Sequence, residues 1–134
     1  MRITQETDYA FRITIYLANL GKGVKADAKT ISQSEGVSLR FTLKILRKLC
    51  QSKLIISFRG VNGGYALNVD PKELNMKQII EAIEGPIYLN KCLAPEGNCN
   101  INRSNSCKLH NIFCDIQNKL IKEFEAININ DIIK

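Results

Sequence analysis

Apolar positions repeat at helical spacing near the start of the chain, where Ala10, Phe11, Ile13, Ile15, Tyr16, Leu17 and Leu20 form one broad face. Thr4 is placed to cap this helix, Glu6 and Asp8 suit the positive end of its dipole, and Gly21 to Gly23 close it. A shorter helix fits Asp27 to Glu35, with Ala28 and Ile31 inward and Gly36 as its stop. Ser38 then caps a third helix that runs to Gln51. Its apolar face is read as Leu39, Leu43, Leu46 and Cys50, joined by Ile45 and Leu49, while Arg40, Lys44, Arg47 and Gln51 line another face. Cys50, on the apolar side, reads as a small core residue.

The period then drops to that of strands. Leu54 to Phe58 (LIISF) and Tyr65 to Asn68 make a hairpin across Arg59-Gly60-Val61-Asn62-Gly63-Gly64. Asn62-Gly63 predicts a tight turn with positive φ at both central positions. After a turn at Pro71 to Leu74, Asn75 caps a helix in which Met76, Ile79, Ile80 and Ile83 share a face, and Gly85 stops it. Helical spacing returns with Leu109, Ile112, Phe113, Ile116, Leu120, Phe124 and Ile127, a long amphipathic helix ending near Ala126. A helix of that length beside so small a domain is hard to bury within one subunit. The tail ININDIIK is expected to form a last short turn packed on a partner.

These elements predict a mainly α fold with a small β-hairpin wing. Residues 1–84 make a winged helix-turn-helix domain, 85–106 a loop, and 107–134 a dimerisation helix with its tail. A chain of 134 residues with 45% apolar and 24% charged positions has room for one such domain and a real core. No apolar run reaches the ~20 residues a membrane span needs. Acidic residues stand in MRITQETDYAFRI where a signal peptide would be apolar, so the expected location is the cytoplasm, with no membrane partner.

Charge sharpens the division. Residues 1–68 hold eleven Lys and Arg against four Asp and Glu, a balance of +7, whereas 69–134 hold eight against nine, a balance of −1. A basic half beside a near-neutral half points to a polyanionic partner for the first. On the third helix the stripe suits double-stranded DNA, with Arg40, Phe41, Thr42 and Lys44 near the end that reads bases, Ser38 in front and Arg47 behind. Arg59 at the base of the wing is a candidate for the minor groove, with Asn62 and Gly63 at the wing tip; an ion pair with Asp70 is its structural alternative.

The remaining chemistry is concentrated between Cys92 and Cys114, which holds four of the five cysteines and the single histidine among Gly, Asn, Ser and Pro. Six residues separate Cys92 from Cys99, seven separate Cys99 from Cys107, and two separate Cys107 from His110. Loops of that length let thiolates converge, and Cys107 and His110 can face one centre from the start of a helix. Thiolates suit an iron–sulfur cluster or zinc. The close Cys-x-x-Cys pairs of a zinc knuckle are absent, which favours the cluster and leaves zinc as the alternative. Cys114 shares a helical face with Cys107 and His110, as an alternative ligand or a half-buried core residue.

Taken together, MRITQETDYAFR, GVSLRFTLKIL, SFRGVNGGYAL, NMKQIIEAIEG and the cysteines from residue 92 onward resemble the Rrf-two family of winged-helix transcriptional regulators. The resemblance spans nearly the whole chain and implies a homodimeric DNA-binding regulator. Its long helix would cross its symmetry mate, and its operator would be roughly palindromic with half-sites about 34 Å apart. In the family's two-iron regulators, three cysteines and a histidine two residues past the third hold the cluster, an order matched by Cys92, Cys99, Cys107 and His110. In its nitric-oxide-sensing repressors an aspartate from the partner subunit completes a four-iron cluster, and Asp8 in Thr7-Asp8-Tyr9 matches that position. The histidine match tips the balance to two irons over four. The loops here are wider than either pattern by a residue or two, so the fourth ligand stays open. Iron status, redox state and nitric oxide are all compatible signals. A zinc-stabilised or metal-free DNA-binding regulator is the alternative and a small electron-transfer iron–sulfur protein the second, whereas an enzyme finds no support, because no Gly-rich phosphate loop and no Ser-His-Asp set is present.

Overall fold

Helices begin where a short polar side chain replaces a missing backbone acceptor. In the computed structural model, which describes residues 2–103 and 106–134, the Thr7 N–H donates to Thr4 Oγ1 at 3.2 Å and so starts α1 (Gln5–Leu20). Asp27 stands just outside α2 (Ala28–Glu35) and accepts from the Thr30 N–H at 2.7 Å. Ser38 does the same for α3 (Leu39–Gln51), accepting from Phe41 at 3.2 Å. Such caps contribute about 1 kcal/mol each. The strands β1 (Ile55–Phe58) and β2 (Gly64–Leu67) follow, then α4 (Met76–Glu84), where Asn75 and Gln78 cap each other reciprocally. A single 3-10 turn at Lys91–Leu93, the long α5 (Lys108–Ala126) and a last turn at Ile129–Asp131 complete the order. Of the expected loop 85–106, Ser104 and Asn105 lie outside the described residues, as does Met1.

The mainly α architecture with one antiparallel hairpin matches expectation. Ile13 and Leu17 of α1, Ile31 of α2, Ile45, Leu46 and Leu49 of α3, Ile55 and Leu67 of the hairpin, and Ile79 of α4 meet in one core. The register runs from Ile55 opposite Leu67 to Phe58 opposite Gly64. Ala26 pairs with Tyr65 through backbone hydrogen bonds of 2.8 and 2.9 Å, so the loop after α1 edges the sheet.

The wing's tip differs from the two-residue turn expected. Five residues, Arg59 to Gly63, bridge the strands, and neither Asn62 nor Gly63 has positive φ; Gly60 and Gly64 do, at 90° and 153°. Gly63 is required for a different reason: a Cβ there would overlap the Phe58 carbonyl oxygen, and its N–H donates to the Gly60 carbonyl at 3.0 Å. At Gly64 a Cβ would lie 2.8 Å from the Ala26 carbonyl oxygen, so glycine lets the loop after α1 approach β2.

The tail also departs from expectation. Instead of reaching for a partner it returns to its own chain: the Met76 N–H donates to the Ile127 carbonyl at 3.0 Å, and the Ile129 N–H donates to Leu74 at 2.7 Å. Ile129 is fully buried in the core. Burying an isoleucine is worth about 2 kcal/mol, which together with these backbone hydrogen bonds offsets part of the entropy of ordering the tail. The final residues therefore belong with the winged domain. The tail, together with Lys77–Glu125 (3.1 Å) and the Leu89 N–H on Gln117 Oε1 (2.9 Å), holds α5 along α4. No described residue of α5 is itself buried, and Leu109, Ile112 and Ile116 are exposed along one side. Among the described residues, no helix is long and apolar enough to cross a membrane.

Ile129→Ala is expected to lower unfolding free energy by about 2 to 5 kcal/mol in urea titrations, with the cost of the exposed Ile127→Ala well under half of that. Equal effects would mean that the tail is not part of the core.

Candidate nucleic-acid interface and metal centre

Gly36 ends α2 in the left-handed conformation at φ 66°, where the Ser32 carbonyl accepts from the N–H groups of Gly36 and Val37. The buried Val37 then anchors the turn into α3. This turn fixes how α3 is rolled about its axis, and the roll is not the one expected. Thr42, Ile45, Leu46 and Leu49 face the core, whereas Leu39 is 45% exposed and Leu43 41% exposed. Thr42 is fully buried with its hydroxyl unpaired, so it has no access to DNA and leaves the candidate set. Ser38, Leu39, Arg40, Phe41, Leu43, Lys44 and Arg47 line one open concavity on the outer face.

Contacts divide these residues by task. Phe41 is half-buried and packs edge-on against Tyr9, with centroids 5.5 Å apart, so it serves as a wall of the face. Arg40 and Arg47 are exposed. Lys44 pairs with Glu6 at 3.0 Å, and Lys48 bonds both Glu6 and, at 3.2 Å, the Ile83 carbonyl. One carboxylate on α1 thereby ties the cationic helix to the end of α4. Burial raises the Glu6 pKa, but hydrogen bonds and charge from Lys48 and Lys44 outweigh it and hold the carboxyl below its ordinary value.

On the wing, Arg59 is exposed and forms no ion pair among the described residues, so the alternative with Asp70 is not realised. Asn62 is exposed, and its carbonyl accepts from Lys25 Nζ at 2.9 Å, while the same ammonium lies 4.9 Å from the Phe58 ring centroid. Sequence reasoning missed Lys25. Its partners are more than thirty residues away, beyond any local pattern.

Three of the cysteines and the histidine line a common cavity without closing on a single point among the described residues. Cys92 on the 3-10 turn, Cys99 in the loop, Cys107 at the cap of α5 and His110 in its first turn line one cavity of about 330 Å³, with Asn90, Lys91, Asn98, Asn100 and Leu109. His110 Nδ1 stands 3.2 Å from Cys92 Sγ. The Cys107 side chain makes no capping hydrogen bond. Backbone N–H groups of Arg103, then Ile101, favour the Cys99 thiolate and hold that thiol below its ordinary pKa. A Cβ at Gly97 would overlap the Lys91 carbonyl oxygen, so glycine allows the loop to fold over the turn.

Three soft thiols and an imidazole around one cavity fit the donor set of an iron–sulfur cluster or zinc. Among the described residues, no three donors stand close enough to hold a single ion. Cys114 is half-buried, lies outside the cavity, and accepts only a long contact from Asn118 at 3.9 Å. Asp8 also lies outside it, paired with Arg12 at 3.0 Å. Cys50 packs against the core as expected, and burial raises its pKa against a hydrogen bond from Ser57.

A helix-turn-helix with a hairpin wing and a cationic outer helix defines a winged-helix DNA-binding regulator. The family model Rrf2, described as an iron-dependent transcriptional regulator, matches residues 3–134, and the chain belongs to that family of transcriptional regulators rather than to any class of enzyme. It is 25% identical over 135 residues to the HTH-type transcriptional regulator NsrR of Bacillus subtilis, covering 100% of this chain and 91% of that one. With the regulator IscR of Aliivibrio salmonicida it shares 24% identity over 133 residues, 99% of this chain and 77% of that one. Among solved structures, CymR, the global cysteine regulator of B. subtilis, superposes with a TM-score of 0.76 at 23% identity, covering 98% of this chain and 95% of that one, which shows the common fold.

Because the pKa of Glu6 is depressed on folding, its contribution to stability is present above the ordinary glutamate pKa of about 4.3 and is lost as pH falls through the folded value. Glu6→Gln is expected to cost about 1 to 2 kcal/mol at neutral pH. That gap should narrow in urea titrations as pH is lowered below the ordinary glutamate pKa of about 4.3, and a gap independent of pH would refute the ion-pair account.

Proposed function

We propose that this protein is a cytoplasmic, homodimeric regulator whose affinity for a roughly palindromic operator is controlled by an iron–sulfur cluster. The observation that carries this reading is the meeting of Cys92, Cys99, Cys107 and His110 around one cavity at the root of α5, outside the cationic domain. Those four residues would hold the cluster, with Asp8 of the partner subunit as the rival to His110 for the fourth place. The arrangement within one chain favours His110 and a two-iron centre. When bound, the cluster supplies iron that reacts with oxidants and nitric oxide and is lost under iron limitation.

The protein's own part is mechanical. Ligation ties the Lys91–Leu93 turn to the first turn of α5, and α5 is already bound along α4 through Gln117 and Glu125. The α4 terminus in turn receives Lys48 from α3. A change in the loop can therefore alter the setting of the recognition helix through two packed contacts. The exposed Leu109, Ile112 and Ile116 support a dimer made through α5, which would place two α3 helices on one face of a duplex. Arg40, Lys44 and Arg47, with Ser38 beside them, act from the major groove, and Arg59 with Asn62 and Gly63 acts from the wing. Zinc on the same donors is the second reading, because three thiolates and an imidazole are also a zinc set.

Anaerobically purified protein is expected to be brown, with two irons and two sulfides per chain; about four of each would favour Asp8, and colourless protein with one zinc would replace the cluster reading. Cys92→Ala, Cys99→Ala and Cys107→Ala should each abolish cluster content and shift operator affinity by about tenfold or more in gel-shift titrations. Unchanged affinity in cluster-free variants would sink the coupling. Binding by the wild type should weaken steeply between about 50 and 200 mM salt, and Arg40→Ala should reduce the slope of log K against log salt by about 1.

A further inference from the structure

Leu39 and Leu43 stand one helical turn apart on the outer face of α3, two-fifths or more exposed, in the same concavity as Arg40, Lys44 and Arg47. Neither packs in the core, whose share of α3 is Thr42, Ile45, Leu46 and Leu49. The half-buried Phe41 forms a third apolar wall beside them. The face therefore has hydrocarbon at its centre and cations around it.

That pattern excludes some occupants. A second copy of the same face would bring like charges together around the leucines, and α5 already offers an apolar stripe of its own for self-association. The cations call for an anionic partner. Within a duplex, however, hydrocarbon pressed on phosphates would strip their water for nothing, so Leu39 and Leu43 must lie over base edges while Arg40, Lys44 and Arg47 hold the backbone. In the major groove the apolar feature of a base edge is the 5-methyl group of thymine.

We propose that Leu39 and Leu43 read thymine methyl groups, so that each operator half-site carries thymines beneath the N-terminal half of α3. This inference rests on the DNA-binding reading above. Discrimination on this face is then largely a matter of apolar contact, with Lys44 moving from Glu6 to a phosphate on docking. Burial of one methyl by a leucine corresponds to roughly a three- to tenfold preference for thymine over uracil.

The test uses the full-length protein purified without oxygen and a duplex it selects from a random library. Each thymine of the selected half-site is then replaced singly by uracil, which removes the methyl and leaves every hydrogen-bonding group in place. Roughly three- to tenfold weaker binding is expected at one or more positions, with no change in salt slope. The loss should disappear in Leu39→Ala or Leu43→Ala, both outward-facing, whose folding is verified by urea titration. Uracil without effect at every position, or an undiminished effect in both variants, overturns the proposal while leaving the regulator reading intact. Failure to enrich any duplex sequence overturns both.

Discussion

The return of the tail into the core is the constraint on which the remaining geometry depends. Backbone pairing of Ile127 with Met76 and of Ile129 with Leu74, together with burial of Ile129, ties the far end of α5 to the start of α4. A 19-residue helix with no buried residue would otherwise be a free arm. Anchored at its C-terminus and held at Gln117 and Glu125, it offers one exposed apolar side and carries Cys107 and His110 at a defined place beside the Lys91–Leu93 turn.

A second constraint is electrostatic. Glu6 gathers Lys44 and Lys48, and Lys48 reaches on to the Ile83 carbonyl, while the neighbouring Thr7 hydroxyl donates to Glu84 at 2.6 Å. The first turn of α1, the outer helix α3 and the end of α4 thus share one polar junction. It lies at the point where the winged domain passes into the cysteine loop. Hydrogen bonds at a partly desolvated site of this kind are worth more than exposed surface pairs.

Much of the fold was legible in the chain because its determinants are local. Thr4, Asp27, Ser38 and Asn75 announce helix starts, since a cap needs only the residues three positions on. Cysteine spacing likewise singled out Cys92, Cys99, Cys107 and His110, which line one cavity. The wing tip was misjudged because Asn62-Gly63 is a turn signal only when the strands close directly on it. Here Gly63 is set by its approach to Phe58, and Gly64 by the loop at Ala26. Leucine spacing on α3 was equally ambiguous: Leu39-Leu43-Leu46 and Ile45-Leu46-Leu49 are both helical stripes, and hydrophobicity alone does not say which faces inward.

The sequence by itself determined which segments are helix and hairpin, where the charge lies and which thiols and imidazole line the candidate metal site. These are set by neighbours along the chain, by composition and by the chemistry of thiol and imidazole groups. Tertiary structure alone decided the roll of α3, which buries Thr42 and exposes Leu39 and Leu43, the docking of the tail, and the service of Lys25 to the wing. Each of those is a choice between partners distant in sequence. Such a choice turns on how volumes and charges fit once several elements are already in place, and no local pattern records that.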